Sequence, residues 1–368
     1  MNTILRNSVF QVDINGHGGN HRTAQLVELM SVAGFEVSDI PKEGQTNRIS
    51  RYLNGAYFLA KYNLTTSLSY QLIGLCGHYY LVYKNFLENY SGIKLLLWEE
   101  TGNYIIPCIA KEKLFTVIAV PQNLESLVVG YVNVFTRKKS LARNFEDEIK
   151  YLSQADAVFC ISREEQWLLK SHNIDADFLP YYPPEVIVSS LLKLRKLRQN
   201  SLKKRFLILG TAHNPPTKVG MIEQIQWLKQ VNQEIEFEVD IAGYGTEQLE
   251  TYCDLPNFTL HGTVDSQQLD TLLINAKAVL LHQKAGVGAL TRIPEMLIAG
   301  IPVIANGNAC RSAFSYPGVY CYDSLWELAD LMSKSLDSPD ILPRPVAAEK
   351  RFIHCLQQLA DDSSSRQA

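Results

Sequence analysis

The stretch at 285–305, Ala-Gly-Val-Gly-Ala-Leu-Thr-Arg-Ile-Pro-Glu-Met-Leu-Ile-Ala-Gly-Ile-Pro-Val-Ile-Ala, reads as a glycine loop, a short helix and a buried strand. Gly286 and Gly288 permit a tight turn and a close approach of backbone to a ligand. Thr291 is placed to cap the helix, and Pro294 falls in its first turn, where a missing N–H costs nothing. Gly300 can end the helix in the left-handed conformation, and Pro302 opens an apolar strand, a position open to proline. A helix start behind a glycine loop offers unpaired amides and a positive dipole end, which suits a diphosphate. Glu295 lies four residues after Thr291 on the same helical face, placed to reach a ribose diol beyond the phosphates. On glycine spacing alone, an ordinary loop-to-helix turn in an α/β domain fits as well.

The same alternation runs through the chain. Residues 9–14 read as a strand, 15–20 as a loop with Gly16, Gly18 and Gly19, and a helix then runs to Ala33 and closes at Gly34. Residues 35–37 start the next strand, 68–86 form a buried helix, and 93–98, 115–120 and 157–161 are apolar runs of buried-strand type. Tyr181-Tyr-Pro-Pro-Glu185 reads as a linker, because two prolines stiffen it and cannot join a ladder. Residues 193–205 follow with seven basic residues and interleaved leucines. A second series places strands at 205–210, 239–242, 258–260, 279–282 and 303–305, then a last helix at 349–359 and a polar tail at 361–368. Strands alternating with helices predict α/β architecture with parallel sheets. The expectation is two Rossmann-like, doubly wound domains, 1–180 and 200–340, followed by a closing helix and tail at 341–368. A ligand cleft is expected between the two, at the carboxyl ends of the strands.

Bulk properties narrow the partners. A net charge of −3 gives no electrostatic case for nucleic acid. The seven cysteines are scattered without a C-x-x-C pair, which predicts reduced thiols in a cytoplasmic protein and no zinc site. No signal peptide is evident at the N-terminus, and 68–83, the most apolar stretch, is too short and too polar to span a bilayer.

Several polar groups fall at predicted strand ends. Thr211 and Lys218 follow the first strand of the second half, with Lys218 placed to neutralise a phosphate. Gly243-Tyr-Gly245 follows the next strand, and Gly262-Thr-Val264-Asp265 follows another, where its backbone can hydrogen-bond a planar base. His282 immediately precedes the glycine loop. In the first half, Glu99 and Glu100 follow one strand, and Gln122, Asn123 and Glu125 follow the next. Arg143 and Glu148 share a helix, where surface pairing is the default expectation.

In this order the motifs resemble the GT-B glycosyltransferases, in particular the family 4 (group 1) sugar-nucleotide transferases, over nearly the whole chain. Gly18-Gly19 stands where the family has its Gly-Gly loop, and Gln122-Asn123-Leu124-Glu125 where it has His-Asn-x-Glu. Glu148, Ala155-Asp156 and Ser162-Arg-Glu-Glu165 match its next segments, and Gly243-Tyr-Gly245 its Gly-x-Gly turn. Glu295-Met-Leu-Ile-Ala-Gly-Ile-Pro-Val303 matches its Glu-Ala-x-Ala-x-Gly-x-Pro-Val signature. Three departures stand out. Val287 replaces the first glutamate of an E-x7-E motif, Gln122 replaces a histidine and cannot carry a proton, and Thr211 replaces a frequent arginine.

The resemblance implies transfer of a hexose, glucose by family frequency, from a UDP-sugar to a carbohydrate or lipid-linked acceptor with retention of configuration. The setting would be polysaccharide or glycoconjugate biosynthesis at the cytoplasmic face of a membrane. No cofactor or metal is expected beyond the donor, since a helix dipole and Lys218 can neutralise the diphosphate charge. Donor contacts would come from Gly18, Gly19, Thr211, Gly243, Val264, His282, Gly286, Gly288, Ala289, Leu290, Thr291 and Glu295. Lys218, Arg292, Asn123 and Glu125 would serve catalysis, and Glu99 and Gln122 the acceptor. Val287 and Gln122 leave open a non-catalytic sugar-nucleotide-binding relative. Gly16-x-Gly18 with Glu36 leaves open a nicotinamide-dependent oxidoreductase. Residues 193–205 raise weak peripheral membrane association, against a solvated hinge helix whose leucines pack on the second domain.

Overall fold

In the computed structural model all residues are described except 1, 64–68, 129, 136–139, 200, 202–203 and 366–368. The start of the helix expected at 68 and the end of the polar tail thus lie outside the described residues. The chain forms two compact units, Met1–Pro180 with Pro345–Ala368, and Tyr181–Arg344.

The first unit contains, in chain order, β1 (Asn2–Asn7), α1 (Gly18–Val32), β2 (Phe35–Asp39), α2 (Arg48–Tyr62), α3 (Tyr70–Glu88) and β3 (Leu95–Trp98). Then come α4 (Ile105–Glu112), β4 (Thr116–Ala119), α5 (Leu141–Leu152), β5 (Ala157–Cys160), α6 (Arg163–Ser171) and β6 (Ala176–Phe178). Its sheet is parallel, in the order β2-β1-β3-β4-β5-β6. The strands β3, β4 and β5 are largely apolar on both faces because helices cover both. Leu5, Leu96 and Trp98 point to one core with Leu72, Tyr83 and Ile109 of α3 and α4. Ile4, Leu95, Leu97 and Phe159 point to the other, against Leu26, Leu29 and Met30 of α1.

Residues 9–14, expected as a strand, are a loop. The ladder stops at Asn7, the last residue of β1 paired with β3, and Val9, Val12 and Ile14 are exposed. Asp13 turns the chain there, accepting from the Asn15 and Gly16 amides. Alternating valines and isoleucine gave the strand its pattern, but among the described residues 9–14 join no sheet.

The second unit opens with α7 (Glu185–Arg198), then β7 (Arg205–Leu209), α8 (Pro215–Val231), β8 (Val239–Ala242), β9 (Phe258–Gly262), α9 (Ser266–Asn275) and β10 (Ala276–Leu281). It continues with α10 (Arg292–Ile298), β11 (Val303–Asn306), β12 (Val319–Tyr322) and α11 (Leu325–Ser333). The parallel sheet runs β12-β11-β10-β7-β8-β9. Leu207, Val279 and Val303 meet α7, α9 and α10 on one face, and Phe206, Ile208 and Leu280 meet α8 and α11 on the other. The last helix, α12 (Val346–Ser365), returns to the first unit, where Phe352 and Leu356 join the α1 core.

The basic segment packs Leu194 into the second unit's core as expected, but its charges are solvated only in part. Arg195 donates to the Leu297 and Ile298 carbonyls at the end of α10, and buried Arg198 donates to the carbonyls of Leu273, Ile274, Ala276 and Gly300. Carbonyls at helix ends lack intrahelical donors, and guanidinium groups supply them here. Lys193 and Lys196 remain exposed.

Candidate functional site

Each sheet has one place where the strand order reverses, and there the loops on either side part to leave a crevice. In the first sheet it lies between β1 and β3. In the second it lies between β7 and β10.

At the first crevice a cavity of about 270 Å³ opens, lined by Ser8 and Phe10 after β1, Glu99 and Glu100 after β3, Gln122 and Glu125 after β4, and Tyr131. Glu99 is buried, 3% exposed. One of its oxygens accepts from Thr23 Oγ1 at 2.7 Å, Ser8 Oγ at 3.1 Å and Gln122 Nε2 at 3.1 Å, and Arg6 lies 3.8 Å from the other. Burial still raises its pKa, against the pull of those donors and of Arg6. Glu100 pairs with Lys42 at 2.7 Å. Glu125 is pushed up to about 7, first by burial and then by the Glu165 charge, partly offset by a hydrogen bond from Asn123. A carboxyl raised to about 7 exchanges its proton near neutral pH and suits general acid or base chemistry.

Three residues that matched sequence motifs turn out to be braces. Glu148 accepts the amides of Glu125 (2.9 Å) and Ser126 (3.0 Å) and the Ser126 hydroxyl. Glu165 accepts the Leu124 amide at 2.8 Å. Asp156 accepts the Val117 amide and pairs with Lys111. Glu148 is fully buried, so the expected surface pairing with Arg143 is replaced by an internal role. Glu148 and Glu165 fix the loop that carries Gln122, Asn123 and Glu125, since backbone amides left unpaired there would cost free energy, while Asp156 holds β4.

Gly18 and Gly19 form the first turn of α1. The Gly19 amide donates to His17 Nδ1 at 3.2 Å, while Asn20 Oδ1 accepts the His17 amide, a reciprocal capping box with histidine in the cap position. The amide that would face a phosphate is therefore already bonded within the loop.

At the second crevice the glycine loop 283–291 leaves β10. Gly288 has φ +70°, a conformation that side chains disfavour, and Gly286 sits against Gln283 and the Arg311 guanidinium. Arg311 holds the loop: it donates to the Val287 carbonyl at 2.6 Å, the Gly288 carbonyl at 2.9 Å and Gln283 Oε1 at 2.9 Å. No motif marks Arg311, and only proximity in space shows this role. Ala289 and Leu290 continue the loop, and Ile293 N–H bonds back to Leu290.

Thr291 precedes α10 with helical dihedrals and makes no side-chain cap bond. The third helical position is Pro294, which has no N–H for a threonine to accept, so the expected cap does not form. Gly300 ends the helix at φ +74°: its amide bonds Leu297 and the Ile301 amide bonds Met296, a Schellman closure. Arg292 donates to the Leu209 carbonyl at the end of β7, directly across the crevice, and Glu295 accepts from the Tyr181 hydroxyl at 2.7 Å. Burial lowers the Arg292 pKa, and the Glu295 charge opposes that shift.

Thr211 lies in the turn after β7, and Lys218, on the first turns of α8, donates to Gln248 at 2.8 Å. Gly243 follows β8 at φ +126°, where a Cβ would lie 2.0 Å from the Gly210 carbonyl oxygen, so the loops after β7 and β8 meet backbone to backbone. Val264 packs partly into the core below β9. The His282 imidazole turns inward, to the Tyr322 hydroxyl at 2.9 Å and Glu223 at 3.4 Å, beside Trp227. Burial pushes its pKa down. Its side chain is thus part of the α8 and β12 packing and is turned away from the glycine loop.

The chain matches no family profile and no curated protein sequence. Solved structures do match. It is similar to α,α-trehalose 6-phosphate synthase from Burkholderia multivorans, with TM-score 0.62 and 10% identity over 100% of this chain and 98% of that one. It is similar to AviGT4, a glycosyltransferase involved in avilamycin A biosynthesis, with TM-score 0.55 and 14% identity over 98% of each chain. It is also similar to UDP-GlcNAc 2-epimerase from Methanocaldococcus jannaschii in complex with UDP-GlcNAc and UDP, with TM-score 0.52 and 12% identity over 97% of this chain and 99% of that one. At such identities the likeness is one of fold: two units, each a parallel sheet with helices on both faces.

Proposed function

This chain has the GT-B fold, and from that premise we propose that it is a glycosyltransferase that takes a hexose, glucose as first choice, from a UDP-sugar. The observation that carries the reading is the second crevice. There a glycine loop held by Arg311, the Arg292 guanidinium and Glu295 converge where the order β10-β7 reverses. Loop amides at 288–292 and the Arg292 and Lys218 cations favour the diphosphate as negative charge grows on it. Glu295 suits the ribose hydroxyls as a charged acceptor.

In the reaction the C1–oxygen bond to the UDP phosphate breaks, an acceptor oxygen bonds C1 with retention, and the acceptor hydroxyl's proton leaves with the released UDP. The acceptor is a carbohydrate or a lipid-linked sugar, and the chemistry proceeds without a metal. The cavity around Glu99, Gln122 and Glu125 fits a sugar hydroxyl in size and polarity. Calorimetry with UDP, GDP, ADP and NAD tests the donor, and UDP release from UDP-glucose with and without added sugars tests turnover. UDP should bind most tightly; preference for NAD would overturn the reading. A non-catalytic sugar-nucleotide-binding relative is the second reading, favoured by Val287 and Gln122 at positions where the resembling transferases carry glutamate and histidine. UDP binding without turnover would select it.

A further inference from the structure

The segment 306–311, at the end of β11, braces the glycine loop. Asn306 Oδ1 accepts the Gln283 amide at 2.9 Å, and Asn306 Nδ2 donates to the Gln283 carbonyl at 2.8 Å. Asn308 donates to the Lys284 carbonyl at 3.0 Å, and Arg311 holds the Val287 and Gly288 carbonyls. The same segment is tied on its other side to β12. The Gly307 amide donates to Asp323 Oδ1 at 3.3 Å, and the Cys310 thiol lies 3.2 Å from the Cys321 sulfur. The sheet order separates the two sides: β10, which carries the glycine loop, and β12 flank β11 on opposite edges.

Cys310 and Cys321 are free thiols, the first buried and the second exposed. Burial raises both; against that, the S–H that Cys310 donates favours the Cys321 thiolate. The solvent-facing sulfur is therefore the one helped toward its nucleophilic form. A buried thiol by itself is inert, but a thiol open to solvent with a second sulfur in contact has its resolving partner in place.

We propose that Cys310 and Cys321 are a redox-responsive pair whose reversible disulfide, formed with a peroxide, loosens the glycine loop. Hydrogen peroxide transfers one oxygen to the Cys321 sulfur, giving a sulfenic acid and one water. Cys310 then attacks that sulfur, the S–S bond forms, and a second water departs. The two thiols have lost two electrons and two protons to the peroxide. A dithiol reverses the step by exchange. Sulfurs at 3.2 Å are in non-bonded contact and must close further to bond. That motion draws the brace toward β12, away from the loop it holds. The Arg311 bonds to the Val287 and Gly288 carbonyls, at 2.6 and 2.9 Å, lengthen and weaken as a result. The pair acts on the loop whatever ligand binds there; only the consequence for UDP rests on the donor reading.

Peptide mass mapping of the full chain after hydrogen peroxide should show a disulfide between Cys310 and Cys321 that dithiothreitol reverses. Amide hydrogen exchange over 283–291 should be about tenfold faster in the oxidised chain. UDP should bind several-fold more weakly to it in calorimetry. Cys321→Ser, at an exposed position, should fold like the wild type and lose all three responses. Failure of this disulfide to form, loop exchange that oxidation leaves unchanged, or the same acceleration in peroxide-treated Cys321→Ser would overturn the proposal. UDP affinity equal in the two forms would do so as well. Absence of UDP binding in both forms would refute the donor reading and leave the exchange result to decide.

Discussion

Glu125→Gln offers a quantitative test of the first crevice. A carboxyl at about 7 in the folded chain, against 4.5 for an ordinary glutamate, is stabilised in its protonated form by the native surroundings. At 1.36 kcal/mol per unit the gap corresponds to about 3 kcal/mol, and water reaching the cavity side reduces this to about 1.5–3 kcal/mol. The sign follows from linkage: between pH 4.5 and 7 the folded state retains a proton that the unfolded state has released. This group therefore lowers stability progressively across that window and by a constant amount above it. Glutamine keeps the shape and removes the titration. Denaturant unfolding should show the variant about 1.5–3 kcal/mol more stable at about pH 8 and within about 0.5 kcal/mol of the wild type at about pH 4. An equal change at both pH values, or a loss at the higher one, would show that Glu125 is not a desolvated carboxyl. The same substitution should flatten any limb of the turnover–pH profile near 7.

Arg311→Ala removes three donors from the glycine loop and should weaken UDP binding by about tenfold or more in calorimetry, with little change in melting temperature; unchanged affinity would show that the loop needs no brace. Tyr181→Phe removes one hydrogen bond that competes for Glu295, so UDP affinity should hold or rise, whereas Glu295→Ala should cost about 1–3 kcal/mol of binding. Arg198→Met removes the guanidinium donor of the Leu273, Ile274, Ala276 and Gly300 carbonyls, of which only Ile274 and Gly300 keep a serine hydroxyl, and should destabilise the chain by about 2–4 kcal/mol, read by denaturant unfolding. Lys218→Ala should lower kcat more than it raises KM for UDP-glucose, because leaving-group charge peaks in the transition state.

Periodicity alone determined the α/β class. The apolar runs of β3, β4, β5, β7, β8, β10 and β11 are visible because strands buried on both faces must be apolar throughout, a local property of composition. Gly34 and Gly300 likewise mark helix ends, since the left-handed conformation is a property of one residue. Residues 9–14 misled for the same reason: their pattern suits a strand, but pairing depends on a neighbour that pattern cannot show. Tertiary structure decided the rest. Glu148 and Glu165 look like surface acids on helices until the fold brings them under the 124–126 amides. Arg195 and Arg198 read as a charge run until α10 and α9 present unpaired carbonyls to them. His282 stands at a strand end in sequence, yet its ring belongs to α8 and β12. The role of Arg311 emerges only once backbone direction is fixed. A side chain's role depends on what lies within a few ångströms of it, and partners tens of residues away in sequence are set by packing, not by local pattern.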